Sequence, residues 1–361
     1  MSDLLEYKCP NCGGSMEFDT ETQNMKCPFC DSVFSVADLQ AMDAGLEAQK
    51  PDSFEWDTAQ AQEWSGAEAD NMSVFVCKSC GGEIVGDDTT AATFCPYCGN
   101  PVVMTGRLAG VLKPNYVIPF KLDKDTAKRK LREYIAKKRF APTTFKSENK
   151  LDEIKGMYVP FWLFDADTAA AVSFEGTQVR KWSDSSFDYT ETSFFDVFRS
   201  GTMRFENIPV DGSEKMPDDL MESLEPFDFA DAVSFQTAYL SGFFADKYDV
   251  PMEQSVGRAN DRVKVSAQNT LASTANGYVT LTPKNTSVQV RNGLAKYALY
   301  PVWLLNTSYK GEKYTFAMNG QTGKFIGNLP VDNGKLAALF AGLTVGVSAL
   351  AFVLCWLAYL L

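Results

Sequence analysis

The sequence predicts a multidomain chain in which two small cysteine-rich modules precede an α+β domain with antiparallel sheets, and one apolar helix follows at the C-terminus. Three observations support this division. A C-x₂-C-x₁₄-C-x₂-C pattern occurs twice near the N-terminus. Short runs rich in Val, Phe, Thr and Tyr, separated by turns, fill most of the remainder, which favours hairpins. Residues 336–361 contain no charged residue at all.

Composition excludes several classes of function. The 361 residues carry a net charge of −12 and no histidine. Without imidazole there can be no Ser-His-Asp or Cys-His catalytic group and no Cys₂His₂ zinc finger. Any metal site must therefore consist of thiolates and carboxylates.

The charge is unevenly distributed, with a net charge of −14 in residues 1–106 and +8 in residues 107–155.

The two cysteine modules carry the clearest chemistry. A tetrahedral Zn²⁺ takes four thiolate ligands with Zn–S bonds of about 2.3 Å. Two C-x-x-C turns at the ends of a short hairpin supply four such ligands. The sequence therefore predicts two Cys₄ zinc ribbons, each with one structural Zn²⁺ and no open coordination position. The predicted ligands are Cys9, Cys12, Cys27, Cys30, Cys77, Cys80, Cys95 and Cys98.

Thiol redox catalysis is the main alternative for these cysteines, because Cys27-Pro28-Phe29-Cys30 and Cys95-Pro96-Tyr97-Cys98 resemble the glutaredoxin active-site tetrapeptide. A redox C-x-x-C opens a helix within a βαβ unit, whereas each pair here has an upstream partner pair at constant spacing. Structural disulfides would conflict with the cytoplasmic location that we expect. The spacing thus favours zinc.

Both ribbons are acidic, which bears on their partners. Phosphate contacts need Lys and Arg, so the ribbons favour protein partners and disfavour nucleic acid. A membrane-tethered regulator that binds nucleic acid through the ribbons stays as the alternative. Between the ribbons, Ser35 can cap a helix that ends near Lys50, and residues 51–73 resemble an acidic tether.

A basic helix is predicted from Asp123 onward, with a narrow apolar stripe that includes Ala127, Leu131 and Ile135. Two interpretations stay open for its basic side, namely contact with anionic lipid and a solvated face of a helix packed on a sheet. The candidate residues for membrane-surface contact are Lys128, Arg129, Lys130, Arg132, Lys137, Lys138 and Arg139.

A short internal repeat, which we call the echo, relates two parts of the α+β domain. Residues 160–165 (PFWLFD) recur 141 positions later as residues 301–306 (PVWLLN), and each copy leads into alternating β-type sequence. Each copy also follows a helical candidate, which suggests two duplicated half-units. No nucleotide-binding or catalytic motif stands out, because residues 320–324 (GQTGK) lack both the spacing and the hydroxyl of a P-loop. We therefore expect no enzyme activity.

The apolar C-terminal segment predicts a transmembrane tail anchor. Its 26 residues would extend about 39 Å as a helix, enough to cross a hydrocarbon core of roughly 30 Å. A buried core helix is the alternative. Lys324 and Lys335 precede the segment, and by the positive-inside rule they predict that the N-terminal bulk lies in the cytoplasm. We therefore expect a single-pass protein of the cell membrane. Ala338, Gly342 and Gly346 form a small-xxx-small stripe through which two such helices can associate.

These elements predict five segments along the chain. They are zinc ribbon 1 (1–34), an acidic helix and linker (35–73), zinc ribbon 2 (74–106), the α+β domain (107–332) and the transmembrane tail anchor (333–361).

Several segments together resemble a family of bacterial membrane proteins with two N-terminal zinc ribbons. These proteins are often labelled TFIIB-type zinc-ribbon proteins, or even replication-restart helicases. The segments that carry the resemblance are 77–85 with 95–99, 118–121, 158–165 and 316–324. The helicase label disagrees with the missing nucleotide-binding loop, and Asp31 replaces the glycine expected after the fourth cysteine.

The resemblance implies a function for the chain. It implies part of a membrane complex with an SPFH-domain protein, which recruits phage-shock protein A in envelope stress, and it implies no established enzyme activity. Combined with the residues, it leads us to expect a non-enzymatic, membrane-anchored adaptor that docks cytoplasmic partners through its ribbons and its α+β domain.

Overall fold

The computed structural model of the chain describes residues 7–9, 13–48, 50–58, 64, 72–87, 94–107, 112–142, 145 and 153–360. Within these ranges the helices are α1 (Val36–Glu47), α2 (Lys124–Lys137), α3 (Asp218–Leu224), α4 (Met252–Ser273) and α5 (Asn333–Leu360). The strands are β1 (Glu17–Asp19), β2 (Asn24–Lys26), β3 (Val33–Phe34), β4 (Ser53–Thr58), β5 (Met72–Val76), β6 (Glu83–Asp87), β7 (Val103–Arg107), β8 (Tyr116–Val117), β9 (Lys155–Ser183), β10 (Asp188–Asp211), β11 (Val233–Ser234), β12 (Phe244–Asp246), β13 (Thr280–Tyr309), β14 (Glu312–Asn319) and β15 (Phe325–Gly327).

The chain forms two compact units whose segments alternate along the sequence. Unit 1 consists of Met1–Ala59, Leu163–Val210 and Val256–Ala295. Unit 2 consists of Gln60–Trp162, Asp211–Ser255 and Lys296–Leu361. The single α+β domain predicted for residues 107–332 thus contributes to both units, because the long strands β9, β10 and β13 each extend from one unit into the other.

Unit 1 begins with the first cysteine module, in which β1, β2 and β3 form an antiparallel sheet. Helix α1 follows at once, and Ser35 is its N-terminal cap. The Ser35 Oγ accepts a hydrogen bond from the Asp38 N–H at 3.0 Å and donates one to the Asp38 carboxylate at 2.7 Å. The first of these hydrogen bonds confirms the predicted cap.

A strand lies where the sequence predicts a linker. Strand β4 pairs in parallel with β13, within the segment assigned to the acidic helix and linker (35–73). Trp56 packs edge-on against Phe164 at 5.0 Å between ring centroids and donates a hydrogen bond of 2.8 Å from Nε1 to Asn260. The linker prediction is therefore wrong for residues 53–58, because packing of the partly buried Phe54 and Trp56 against the core outweighs the local acidity.

The remainder of unit 1 is a sheet covered by a helix. Strand β9 pairs with β10 and neighbours β13. Helix α4 packs its apolar side against these strands. The buried residues of this core are Ala166, Ala170, Val172, Phe174, Val197, Val263, Ala267, Leu271, Val288 and Val290.

Unit 2 contains the second cysteine module and most of the short strands. Strand β5 pairs antiparallel with both β6 and β7, and β6 pairs antiparallel with β12. Strand β12 also pairs in parallel with β9, while β13 pairs antiparallel with β14 and in parallel with β8. The antiparallel sheets that the sequence predicts are present, and the parallel pairs are additional.

Helix α2 supplies part of the core of unit 2. Asp123 caps its N-terminus by accepting a hydrogen bond from the Thr126 N–H at 2.8 Å. Ala127, Leu131 and Ile135 are buried against aromatic and aliphatic residues of β13 and β14. The predicted apolar stripe of this helix is thus its packing face.

The two echoed prolines occupy corresponding positions in unit 2. The Pro160 carbonyl accepts a hydrogen bond of 2.9 Å from the Gly212 N–H, and the Pro301 carbonyl accepts one of 2.8 Å from the Gly320 N–H. Both prolines lie inside long strands and leave these carbonyls available.

The two echoed tryptophans also make corresponding hydrogen bonds. Trp162 Nε1 donates to the Val250 carbonyl at 2.9 Å, just before helix α4. Trp303 Nε1 donates to the Leu122 carbonyl at 3.0 Å, just before helix α2. Each tryptophan therefore attaches its strand to the start of a helix.

Candidate metal centres

The four cysteines of the second module converge on one point. The ligand atoms of Cys77, Cys80, Cys95 and Cys98 all lie within 4.8 Å of one another. Cys77 Sγ is 3.5 Å from Cys98 Sγ, and Cys80 Sγ is 3.6 Å from Cys95 Sγ. A tetrahedral zinc site with Zn–S bonds of about 2.3 Å requires sulfur separations of about 3.8 Å. This donor set therefore fits a zinc ion.

Tight turns position these sulfurs. In the first turn the Gly81 N–H donates a hydrogen bond of 2.8 Å to the Cys77 carbonyl, and Gly81 has φ +72°. In the second turn the Gly99 N–H donates one of 3.0 Å to the Cys95 carbonyl, and Gly99 has φ +74°. Glycine adopts this left-handed conformation without a steric cost, which explains the glycine after each pair.

The surroundings shift the pKa of three of these sulfurs, in opposite directions. Burial acts to raise the pKa of Cys77, but hydrogen bonds from backbone N–H groups of its turn outweigh it and lower the pKa to about 7. Burial raises the pKa of Cys80 and of Cys95. A bound divalent cation stabilises thiolates, so occupation of the site would lower the pKa of these sulfurs.

The first module has the same construction in the part that the structure describes. The ligand atoms of Cys9, Cys27 and Cys30 lie within 4.8 Å of one another, and Cys9 Sγ is 3.6 Å from Cys30 Sγ. Cys12, the fourth predicted ligand, lies outside the described residues. Asp31 takes the left-handed conformation with φ +55° where the other turns have glycine. This cluster could also hold a metal ion.

Contacts with the rest of unit 2 fix the second module in place. The Asn306 amide donates a hydrogen bond of 2.8 Å to the Pro96 carbonyl, and Lys155 Nζ donates one of 3.4 Å to the Phe94 carbonyl. Lys155 also lies 5.7 Å from the ring centroid of Phe244, an arrangement that favours a cation–π interaction. Sequence reasoning missed these residues, because they lie far along the chain from the cysteines.

A buried carboxyl group lies behind the aromatic residue of the second turn. The hydroxyl of Tyr97 is buried, and the pKa of Tyr97 is raised by burial and by the charge of Asp246. Ser213 Oγ donates a hydrogen bond to the Asp246 carboxylate. Burial raises the pKa of Asp246 to about 7. No sequence pattern marked this group.

Comparison with known proteins gives one extensive similarity. The chain is 35% identical over 343 residues to the uncharacterized protein YdjG of Bacillus subtilis (strain 168), and the alignment covers 95% of each chain. The chain belongs to the YdjG family. No protein-family model matches the sequence, and no solved structure matches it.

Membership of the YdjG family assigns no activity, because that relative is itself uncharacterized. The similarity to this relative covers 95% of the chain. The function of the family must therefore be inferred from the site and from the surfaces of the molecule.

The predicted membrane-surface residues lie on helix α2 and on the two residues after it, and two of the seven border its packing face. Arg129, Arg132, Lys137, Lys138 and Arg139 are exposed. Lys128 and Lys130 are half-buried. Both the lipid-contact interpretation and the solvated-face interpretation stay open for this YdjG-family helix.

The apolar C-terminal segment forms one long helix. The helix over Asn333–Leu357 is long and apolar enough to cross a membrane. Its most apolar stretch is not buried against the rest of the chain. The predicted helix-association residues Ala338, Gly342 and Gly346 are exposed on this helix. Cys355 is also exposed there, apart from the two cysteine clusters.

Proposed function

We propose that the chain is a non-enzymatic adaptor of the cell membrane, anchored by α5, that docks partner proteins on the cytoplasmic side. The observation that carries the proposal is the unburied apolar helix Asn333–Leu357. At about 1.5 Å per residue its 25 residues extend about 38 Å, longer than a hydrocarbon core of roughly 30 Å. A helix that is apolar on all sides is stable only when its surface is covered by protein or by lipid.

The start of this helix is attached to folded chain, which supports the role of an anchor. Lys335 Nζ donates a hydrogen bond of 2.6 Å to the Ala141 carbonyl, and the Asp332 N–H donates one of 2.7 Å to the Phe140 carbonyl. These contacts lie within unit 2. We infer that unit 2 is held at the membrane surface, with Lys335 on the cytoplasmic side as the positive-inside rule expects.

Zinc has a structural role in this proposal. Four thiolates leave no coordination position for water or substrate, so each ribbon would stabilise its turns and perform no chemistry. We propose two zinc ions per chain, one in each cysteine module. Small modules of this kind bury too little apolar surface to fold without a metal.

Exposed aromatic side chains on the β9–β10 hairpin support a docking role. Tryptophan and tyrosine are enriched at protein interfaces. Trp182 stacks on Tyr189 at 5.4 Å between ring centroids near the hairpin turn. The exposed apolar residues of this hairpin are Val179, Trp182, Phe187, Tyr189, Phe194 and Phe195.

The partner class follows from the family resemblance noted in the sequence. We propose that the partners include an SPFH-domain protein and a phage-shock-type coat protein, and that the complex serves the envelope-stress response. The acidic ribbons support protein partners over nucleic acid. The small-residue stripe of α5 would allow self-association or association with another membrane helix.

The test is purification of the full-length protein from its native membrane. The protein is tagged at the N-terminus, solubilised in mild detergent and purified, and the co-purifying proteins and nucleic acids are identified. We expect membrane-stress proteins and no nucleic acid. A chain ending at residue 332, expressed at the same level, is the matched control and should recover less of the same partners. Recovery of RNA, DNA or polymerase subunits in place of membrane proteins would contradict the adaptor function.

A further inference from the structure

The two cysteine modules present equivalent aromatic residues. Phe29 and Tyr97 each lie between the proline and the last cysteine of a C-P-x-C turn. A Cβ atom added to Gly14 would lie 2.4 Å from the Phe29 ring, and one added to Gly82 would lie 3.0 Å from the Tyr97 ring. Each ring therefore covers a glycine of the opposite turn, and the two turns have the same construction.

The surroundings of these two rings differ sharply. The turn of Tyr97 is covered by later segments of unit 2, because the hydroxyl is buried next to Asp246 and the Asn306 amide donates a hydrogen bond to the Pro96 carbonyl. Phe29 is 74% exposed although it is a large apolar side chain. The second module thus shows how such a turn is covered, and the first module presents the same turn to solvent.

We propose that the Phe29 turn of the first module docks into an apolar pocket of a partner protein, rimmed by Lys or Arg side chains. The site rests on the proposed adaptor function and identifies a surface through which that function operates. A large aromatic side chain is the kind of residue that dominates the energy of a protein interface.

The chemistry of the partner pocket follows from Phe29 and its neighbours. Phenylalanine lacks the hydroxyl that Tyr97 places next to Asp246, so the receiving pocket needs no polar group at its base. Acidic residues outnumber basic ones by four to two in residues 7–34, and the zinc site that we propose for this module would add a charge of −2, from four thiolates and one divalent ion. A basic rim on the partner would complement this charge.

The same charge argues against two other occupants. An anionic lipid surface would repel the acidic module. The pocket that receives Tyr97 is already filled by Tyr97 and carries the Asp246 carboxyl at its base, so it does not suit Phe29 of a second copy. A basic protein partner is therefore the occupant to which we commit.

Photo-crosslinking in the full-length, membrane-bound protein tests this site. Phe29 is replaced by p-benzoylphenylalanine, and in a matched variant Phe18, which is 50% exposed in the same module, is replaced in the same way. We expect the group at position 29 to crosslink to apolar residues of a partner that are flanked by Lys or Arg, identified by mass spectrometry. Crosslinks from position 29 that map only to lipid or to this chain would overturn the proposal.

Simple substitutions provide an independent measurement. Phe29→Ser should lower the recovery of that crosslinked partner at least tenfold, Phe29→Leu should retain most of it, and Phe18→Ser should change it less than twofold. Zinc content equal to that of the unsubstituted protein shows that each variant is folded. Unchanged recovery with Phe29→Ser would overturn the docking site and leave the adaptor function standing. Recovery of no protein partner by the unsubstituted chain would contradict the adaptor function and the docking site together.

Discussion

Asn306 donates a hydrogen bond of 2.8 Å from its side-chain amide to the carbonyl oxygen of Pro96, the residue that follows Cys95. The Asn306 side chain is itself held, because Thr315 Oγ1 donates a hydrogen bond of 2.6 Å to its oxygen. The Cys95–Cys98 turn is thereby attached to the β13–β14 hairpin. Metal binding at the second module and the stability of unit 2 should therefore be coupled.

The first prediction concerns this coupling. Cys95→Ser removes a ligand and should destabilise the β13–β14 hairpin as well as the turn, by about 2 kcal/mol or more. Hydrogen exchange of residues 302–319 and zinc content measure the two effects. Cys27→Ser is the matched control, because Cys27 packs in a separate cluster with Cys9, Met16 and Leu39. Equal exchange of the hairpin in both variants would contradict the coupling.

Local features of the site could be predicted from the sequence, and distant ones could not. A C-x-x-C turn is built by neighbouring residues, so its spacing predicted the convergence of Cys77, Cys80, Cys95 and Cys98. The attachment of the turn to Asn306 joins residues 210 positions apart, and no local pattern encodes such a pairing.

In the fold, one strand could have been predicted from a local pattern, and the lengths of two others could not. The alternation of Phe54 and Trp56 with acidic residues is a strand signal, and it could have revealed β4 inside the predicted linker. The lengths of β9 and β13 could not be predicted from propensity, because Pro160 and Pro301 suggest strand ends. In the structure both prolines lie within the strands.

The second prediction is a pH dependence that originates at Asp246. An aspartate in the unfolded chain has a pKa near 3.8, whereas burial raises the pKa of Asp246 to about 7. The folded state therefore binds this proton more tightly, so the free energy of unfolding should fall as pH rises from about 4 to about 7. Asp246→Asn removes this dependence. The variant should gain stability relative to the wild type on going from pH 6 to pH 8, on the order of 1 kcal/mol.

Thermal unfolding of the detergent-solubilised protein at pH 6, 7 and 8 measures this difference. The exposed residue Asp261 offers the matched control, Asp261→Asn, which should follow the wild-type profile. Zinc content is measured at each pH so that loss of metal is not mistaken for titration of Asp246. A constant stability difference between the Asp246→Asn variant and the wild type would contradict the assignment.

The third prediction compares the two echoed tryptophans. Trp162→Phe and Trp303→Phe each leave a carbonyl group without its donor and remove buried ring atoms. Each substitution should lower the free energy of unfolding by about 2 kcal/mol or more. Trp182→Phe, at a side chain that is 45% exposed, should cost less than about 0.5 kcal/mol. Denaturant titration followed by circular dichroism measures the free energy of unfolding of each variant. An equal loss of stability in Trp182→Phe and Trp303→Phe would show that the two indole hydrogen bonds do not stabilise the fold.

The fourth prediction concerns the apolar helix, whose middle lies near Val345. If the helix crosses a bilayer, the double substitution Val345→Arg with Ala349→Arg places two charges at membrane depth, at a cost of about 5 kcal/mol or more. The variant should move from the carbonate-resistant membrane fraction to the soluble or extractable fraction, whereas Val345→Leu should stay in the membrane. Zinc content should be the same in both variants, because neither cysteine cluster includes residues of α5. Retention of the double-arginine variant in the carbonate-resistant fraction would show that α5 is not the membrane anchor, and the adaptor function would then need another means of reaching the membrane.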